Sequence, residues 1–529
     1  MRKINKYTEK QLSLFKTEED TVEKLSKKKE ERFSFKAVFS LLFILLSLTL
    51  YSYFQPAFSI LLWNGKEIEV SFIPFEKLID FSPSEKNEAA DSLISSYLAN
   101  TQHEFFIERS SLSLIEPKRK NEFLINPVLK NGKTALDLFF NALLTEKDSC
   151  LVRIAHYGDS QLEGDRVTNI FRKKFQDKFG GYGQGFVPFT DLTPSISYNR
   201  QSGENWMRYT VFNRKYNSGN YGLSGTVYKF TNCVLVELDS SETADNELAA
   251  ENDSIEKPKE LICYDNASVR YKFRTPYDQM RIMYGNVTAK CKLEAFNNNT
   301  GELLAEDSLM PGEVFNTKRI PLSSNVLNIK LQFTSDVSPE FYALCFDSYK
   351  GVQVDNYAIR GHSGDGLMLI NPDILARQLK ELNVKLIIFQ YGANVVPYIR
   401  SEEACQWLKT LYYDLFMRFK QAAPNTGILV IGAGDMARQV EGGYASYSML
   451  PRIRDVQREA ALEAGCAFFD LFGMMGGSNS IISWSRKKLA STDGHLSPKG
   501  QEILGNELFS ALMVEYNMFL YKKKTQQID

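Results

Sequence analysis

Two periodicities alternate along the chain, and their order sets the expected architecture. Thr134–Leu144 carries Leu136, Leu138, Phe139, Phe140, Leu143 and Leu144 at helical spacing. The mostly apolar run Leu151–Tyr157 follows, with the length and β-branched content of a buried strand, and ends in Gly158-Asp159-Ser160. Between about 196 and 350 the texture changes to short alternating segments separated by turn residues: Arg208–Asn213, Thr226–Phe230, Cys233–Leu238, Ser268–Phe273, Gln279–Tyr284, Lys292–Phe296, Leu327–Phe333 and Phe341–Phe346. That pattern predicts an antiparallel sandwich. An acidic, Ser/Asn/Ala-rich stretch, Asp239–Glu260, interrupts it and reads as a loosely held loop. Beyond 350 helices are expected at Pro372–Asn383, Glu402–Ala422, Ile453–Ala464 and from Pro498 to about Tyr516. Buried strands are expected at Val384–Gln390, Ile428–Ile431 and Ala467–Leu471. Strands alternating with helices predict a parallel sheet covered on both faces. The expected fold is therefore a three-layer α/β/α domain split by an all-β insertion: residues 131–195 and 351–520 around 196–350.

The amino-terminal end has a different character. Residues 1–36 are polar and lysine-rich, and the segment 37–63 is apolar and uncharged. A helix of that length spans a hydrocarbon core of roughly 30 Å. Lysine and arginine crowd its amino-terminal side, so the positive-inside rule places the N-terminus in the cytoplasm and everything after about residue 64 outside. The long N-region and the lack of a small-x-small site argue against a cleaved signal peptide. The expectation is a single-pass protein of the cell membrane, with extracytoplasmic (periplasmic) domains joined to the anchor by a mixed, partly helical connector, 64–130.

Composition narrows the function classes. The net charge of −1 offers no basic field for nucleic acid. Seven scattered cysteines contain no CxxC pair, which speaks against a disulfide framework or a zinc site; one incidental bridge is compatible with an oxidising compartment. Four histidines (103, 156, 362 and 495) keep the search for a base short. No metal or other cofactor is expected. The run Gly432-Ala-Gly434-Asp-Met-Ala437 mimics a dinucleotide fingerprint, but the acidic residue required about twenty positions on is missing.

Four pieces carry candidate chemistry. The first is HYGDSQLEGD, 156–165, which puts Ser160 between a buried strand and a helix start, where backbone amides are available for a developing oxyanion. Gly-Asp-Ser alone is also ordinary turn composition. The second is Asn356-Tyr-Ala-Ile-Arg-Gly361, the third Ile387-Ile-Phe-Gln-Tyr-Gly392-Ala-Asn394, and the fourth Asp493-Gly-His495 before the last helix. Each falls at the carboxyl end of an expected strand or in the adjoining loop, and such ends converge on one crevice.

In this order the four pieces resemble the blocks of the SGNH (GDSL-like) hydrolases: the Ser of GDS, a Gly, the Asn of GxN, and a His shortly after an Asp. The resemblance covers roughly 146–195 and 352–516. It implies a flavodoxin-like fold, Ser160 as nucleophile, His495 as base, and an oxyanion hole of the Ser160 and Gly361 amides with the Asn394 side chain. Asp159, Gly392, His362 and Asp435 are candidate pocket residues; His156 and His362, which flank the motifs, are expected to line the pocket or support it from behind, not to act as the base. The stretch HYGDSQLEGDRVTN followed by FGGYGQGFVP is similar to membrane-anchored members that act on O-acetyl groups of peptidoglycan and other surface glycans. Some related esterases carry a carbohydrate-binding-like β domain after the serine block. The resemblance thus implies an O-acetyl esterase or O-acetyltransferase acting on an acylated glycan, a transferase having a membrane acyl-donor protein as partner. Two alternatives are a catalytically decayed glycan-binding scaffold and a lipase or thioesterase of the same fold, the latter without a visible apolar lid. One departure stands out: the family spaces its pair Asp-x-x-His, whereas here it is Asp493-x-His495, with Thr492 at the usual acid position. Either a shorter loop still lets Asp493 orient the imidazole, or the base works without a carboxylate.

Overall fold

The computed structural model describes Phe43 and residues 57–61, 67–71, 87–100, 122–216, 218–237, 259–323 and 325–528. Met1–Ser84 and Glu85–Asp529 form two compact units. In the first, Ala57–Leu61 pairs antiparallel with Glu67–Ser71, setting Ile60 opposite Ile68 and Phe58 opposite Val70. This corrects the expected anchor at its carboxyl end: the apolar residues after Pro56 alternate as a strand instead of continuing a helix. Phe43 is helical; the rest of the 37–63 segment lies outside the described residues. Among the described residues no helix is long and apolar enough to cross a membrane.

The second unit is built on a sheet in the order Gly351–Ala358, Leu151–Gly158, Val384–Gln390, Gly427–Ile431, Ala467–Phe469, with Leu124–Ile125 antiparallel at the edge. Numbered along the chain, its five parallel strands run 2-1-3-4-5, the flavodoxin-like order. Every residue of Leu151–Gly158 is buried, because helices cover both faces. The pleat sorts the side chains. Leu386 and Ile388 join Phe139, Phe140, Phe171, Phe175 and Leu508 on one face. Ile387 and Phe389 join Leu379, Phe416, Phe419 and Val456 on the other. The stretch read as a connector contributes to this unit: Glu88–Asn100 is a helix tied down by Tyr97, whose hydroxyl donates to Met474 O (2.9 Å), and Leu124–Ile125 extends the sheet.

The insertion is a sandwich of two antiparallel sheets. One runs Leu303–Leu309, Cys291–Asn297, Asn328–Thr334, Ala267–Phe273, Tyr198–Ser202. The other runs Asn316–Pro321, Gln279–Gly285, Glu340–Asp347, Thr226–Phe230, Trp206–Thr210, with Gly185–Val187 alongside Glu340–Asp347. Cys233–Glu237 lies outside both sheets; it pairs with Lys259–Cys263 in a separate ribbon closed by a Cys233–Cys263 disulfide. Asp239–Glu260 lies almost wholly outside the described residues.

A fully buried ion cluster joins sandwich to sheet. Arg153, on the serine strand, meets Asp347 at 2.5 Å at the end of a sandwich strand and Asp355 at 2.7 Å on the neighbouring sheet strand. Asp355 also accepts from the Phe186 amide (3.0 Å) and the Tyr357 hydroxyl (2.8 Å). Buried charges persist only when paired and hydrogen-bonded in this way.

Candidate active site

Ser160 stands on a turn two residues beyond the serine strand, with the Leu162 amide donating to Asp159 O (3.1 Å). The helix expected to begin there starts only at Arg166, because Gly164 (φ 71°) and Asp165 (φ 67°) take left-handed conformations first. The amides around Ser160 are therefore those of a turn, not of a helix N-terminus.

The Ser160 hydroxyl lies 2.9 Å from His495 Nε2, and His495 Nδ1 lies 3.0 Å from Asp493 Oδ2. The contracted Asp-x-His spacing thus still brings carboxylate to imidazole. Gly494 between them has φ 90°, the left-handed turn that lets two residues apart face each other. Burial works against the Asp493 charge. Hydrogen bonds from the Ser491 hydroxyl and from the amide and ring of His495 outweigh it and hold that carboxyl below its ordinary range. Thr492 offers only its carbonyl, which accepts from Ala437 N (2.7 Å).

Gln161 is a residue the sequence reading passed over. Its side chain donates to Gly494 O (2.8 Å) and accepts from Leu496 N (3.3 Å), gripping the histidine loop from the serine turn. Nothing in its immediate sequence signals this, since both partners are more than three hundred residues away.

Asn394 comes to the same crevice, but its amide is engaged, donating to Asp159 Oδ2 (3.1 Å) and His362 O (3.2 Å). Gly392 makes this approach possible: its φ is 128°, and a Cβ there would meet Gln457 Nε2 at 2.7 Å. Asp159 also accepts from the Gln161 amide (2.9 Å), and burial pushes its carboxyl up to about 6. Gly361 (φ 74°) lies against Phe212 of the insertion, whose ring a Cβ would meet at 3.2 Å. The β domain therefore reaches the glycine block, a contact local sequence does not show.

The other expected pocket residues divide. His362 is buried beneath the glycine block; its Nε2 accepts from Gly366 N (3.1 Å), and burial lowers it to about 4. The Asp435 carboxylate is turned to other work, accepting from Ser446 Oγ (2.6 Å), Ser480 Oγ (3.3 Å) and Ile481 N (2.9 Å), so it pins the Ala437–Ser446 hairpin to the Ser480–Arg486 helix. Even so, Asp435 lines, with Gly432, Ala433, Gly434, Met436 and Gly494, a small, mainly apolar pocket beside Asp159 and Gln161. His156 lies within the sheet layer, between Gln390 Oε1 (3.2 Å) and Thr168 Oγ1 (3.2 Å). Among the described residues, no group of three or more His, Cys, Asp or Glu side chains is placed to hold a metal ion.

A hydroxyl hydrogen-bonded to an imidazole that is itself hydrogen-bonded to a carboxylate is the arrangement of an activated nucleophile. Residues 333–503 match the family model described as GDSL-like Lipase/Acylhydrolase, a span that holds Gly361, Asn394, Asp493 and His495 but not Ser160. No curated protein matches the chain. Among solved structures, a peptidoglycan O-acetylesterase is similar at 17% identity and a TM-score of 0.56, covering 74% of this chain and 99% of its own. A salicylyl-acyltransferase from a tetracycline biosynthetic pathway aligns at 8% identity and TM-score 0.26, covering 63% of this chain and 97% of its own. A family two carbohydrate esterase from Clostridium thermocellum, in complex with cellohexaose, aligns at 10% identity and TM-score 0.19 over 47% and 92%. The first shares the fold; the other two overlap too loosely to carry an argument.

Proposed function

We propose, from the premise that this chain belongs through its α/β domain to the SGNH (GDSL-like) hydrolases, that it removes or transfers O-acetyl groups on a cell-wall or surface glycan. The observation that carries the reading is the continuous contact from Ser160 through His495 to Asp493. Ser160 Oγ attacks the acetyl carbonyl as His495 Nε2 takes its proton. Asp493 holds Nδ1–H in place and stabilises the imidazolium. The oxyanion is received by the Ser160 and Gly361 amides and by an Asn394 hydrogen released from Asp159. Collapse returns the proton from His495 to the departing sugar oxygen and leaves an acetyl ester on Ser160. Water, or a second sugar hydroxyl in a transferase, then attacks with His495 again as base.

Three features support a glycan acetyl ester over a lipid. The His495 and Asp493 side chains are 43% and 62% exposed, an open site that admits a polymer. The pocket beside Asp159 is walled by Ala393, Gly432, Ala433 and Gly434, room for a small acyl group. The neighbour that shares the fold acts, by its name, on peptidoglycan acetyl esters. An extracytoplasmic location, tethered by the uncharged apolar segment 37–54 that precedes the strand, rests on the charge asymmetry around that segment and agrees with the Cys233–Cys263 bridge. The Asp493–His495 contact favours an enzyme over a decayed scaffold. The deciding experiment is labelling with a fluorophosphonate alongside acetate release from O-acetylated glycan. Covalent labelling lost in Ser160→Ala, together with acetate release, is the expected result; turnover retained in Ser160→Ala rules the reading out.

A further inference from the structure

A second cleft, of about 530 Å³, opens where the sandwich meets the α/β domain. Its walls include Glu163 and Gly164, just past the serine turn, and Asn356–Ala358, the strand end that opens the glycine block. The insertion supplies Arg200, Arg208, Ser224, Thr226 and Tyr228. Its charges do not balance. Glu163 is paired with Arg360 (2.6 Å), Asp165 with Arg172 (2.6 Å), and Asp191 with Arg208 (3.1 Å). Arg200 has no carboxylate: it donates to the backbone carbonyl of Asp191 (2.8 Å) and forms no ion pair among the described residues. Arg208 Nε is buried without a hydrogen-bond partner. A half-buried guanidinium without counter-charge, beside a buried N–H without an acceptor, leaves a need that one anionic acceptor group would meet. The Ser224 and Thr226 hydroxyls, 2.6 Å apart, add donors and acceptors suited to a polyol.

We propose that this cleft binds a carboxylate-bearing sugar residue of the glycan, its carboxylate against Arg200 and Arg208, so that a neighbouring acetylated residue is presented to Ser160. This rests on the glycan-ester reading and deepens it: the substrate is an acidic glycan, and the insertion recognises it at its seam with the α/β domain. The probes are an acetylated uronic-acid oligosaccharide and its neutral hexose counterpart at equal acetylation, with kcat/KM for acetate release measured on both. Taking the acidic-to-neutral ratio within each protein cancels any general loss of turnover. The wild type is expected to favour the acidic substrate about ten-fold or more, the usual worth of a charge-assisted contact. Raising the salt should erode that preference, and both Arg200→Gln and Arg208→Gln should bring it close to one. Two variants guard against one failing to fold, which thermal melting would reveal. A wild-type ratio near one with acetate released from both substrates overturns the cleft and leaves the glycan-ester reading standing, as does a ratio that neither variant changes. Release from a small acetyl ester but from neither oligosaccharide overturns both.

Discussion

Asp493 and Thr492 are the two residues between which the family pattern and this chain disagree, and the contact of Asp493 with His495 ranks them. Asp493→Asn should lower kcat by roughly 10²–10⁴, since an amide neither fixes the tautomer nor stabilises the imidazolium. Thr492→Val, which leaves the Thr492 carbonyl in place, should change it little. The reverse order in steady-state kinetics would show that Asp493 is only a turn residue. Asp159 invites a different measurement. Its carboxyl, held at about 6 by burial, stays protonated in the fold at pH values where the unfolded chain has already released the proton. Its ionisation therefore costs stability that appears as pH rises from about 4 to about 6 and is constant above. Asp159→Asn should be more stable than the wild type at neutral pH, by about 2–3 kcal/mol at most, with the gap closing on acidification to pH about 4. Melting curves across that range check it; a gap independent of pH would count against the raised carboxyl. Ester turnover should meanwhile suffer, because Asn394 loses the acceptor that places it.

At the scale of elements, the apolar runs were easy to read. Val384–Gln390 and Glu402–Ala422 form as their periodicity predicts, and Thr226–Phe230 likewise. Short elements escaped, including the buried helices Leu471–Met475 and Ser480–Arg486, and so did strands with little buried face of their own. Leu303–Leu309 and Asn316–Pro321, at the sandwich edges, and Tyr198–Ser202 each have a single fully buried position, so their sequences show no clean apolar alternation. The last helix was expected to stop near Tyr516 but runs to Ile528, its final turns being polar. The four motif blocks were legible because each is local; their meeting was inferred from strand ends alone. The Gln161 grip, the engaged Asn394 amide and the Phe212 contact were not legible, since each depends on a partner remote in sequence. Gln161→Glu retains the size but loses the donor to Gly494 O. It should reduce kcat on the order of ten-fold with KM little changed; a rise in KM alone would mean the grip serves binding instead. The ribbon offers a chemical count. In an oxidising compartment the bridge forms, so thiol titration of the chain isolated from its native cells and denatured should find the five cysteines outside the bridge, and seven after reduction. Seven thiols before reduction would place the chain in a reducing one.

For the whole molecule, the proposed topology predicts that protease added to spheroplasts digests the domains after residue 64, and protection of those domains would reverse the orientation. The buried Arg153 cluster carries a further consequence, one of timing. The serine strand emerges early in synthesis, but the carboxylates that neutralise Arg153 arrive 194 and 202 residues later, and the histidine in contact with Ser160 arrives 335 residues later. A nascent chain cannot bury Arg153 before the whole sandwich has been made, because an unpaired guanidinium in that layer is prohibitively costly. The chain is thus born inert: no partial product brings serine and imidazole together, and whatever ester chemistry the pair performs comes into being only once the histidine loop is delivered.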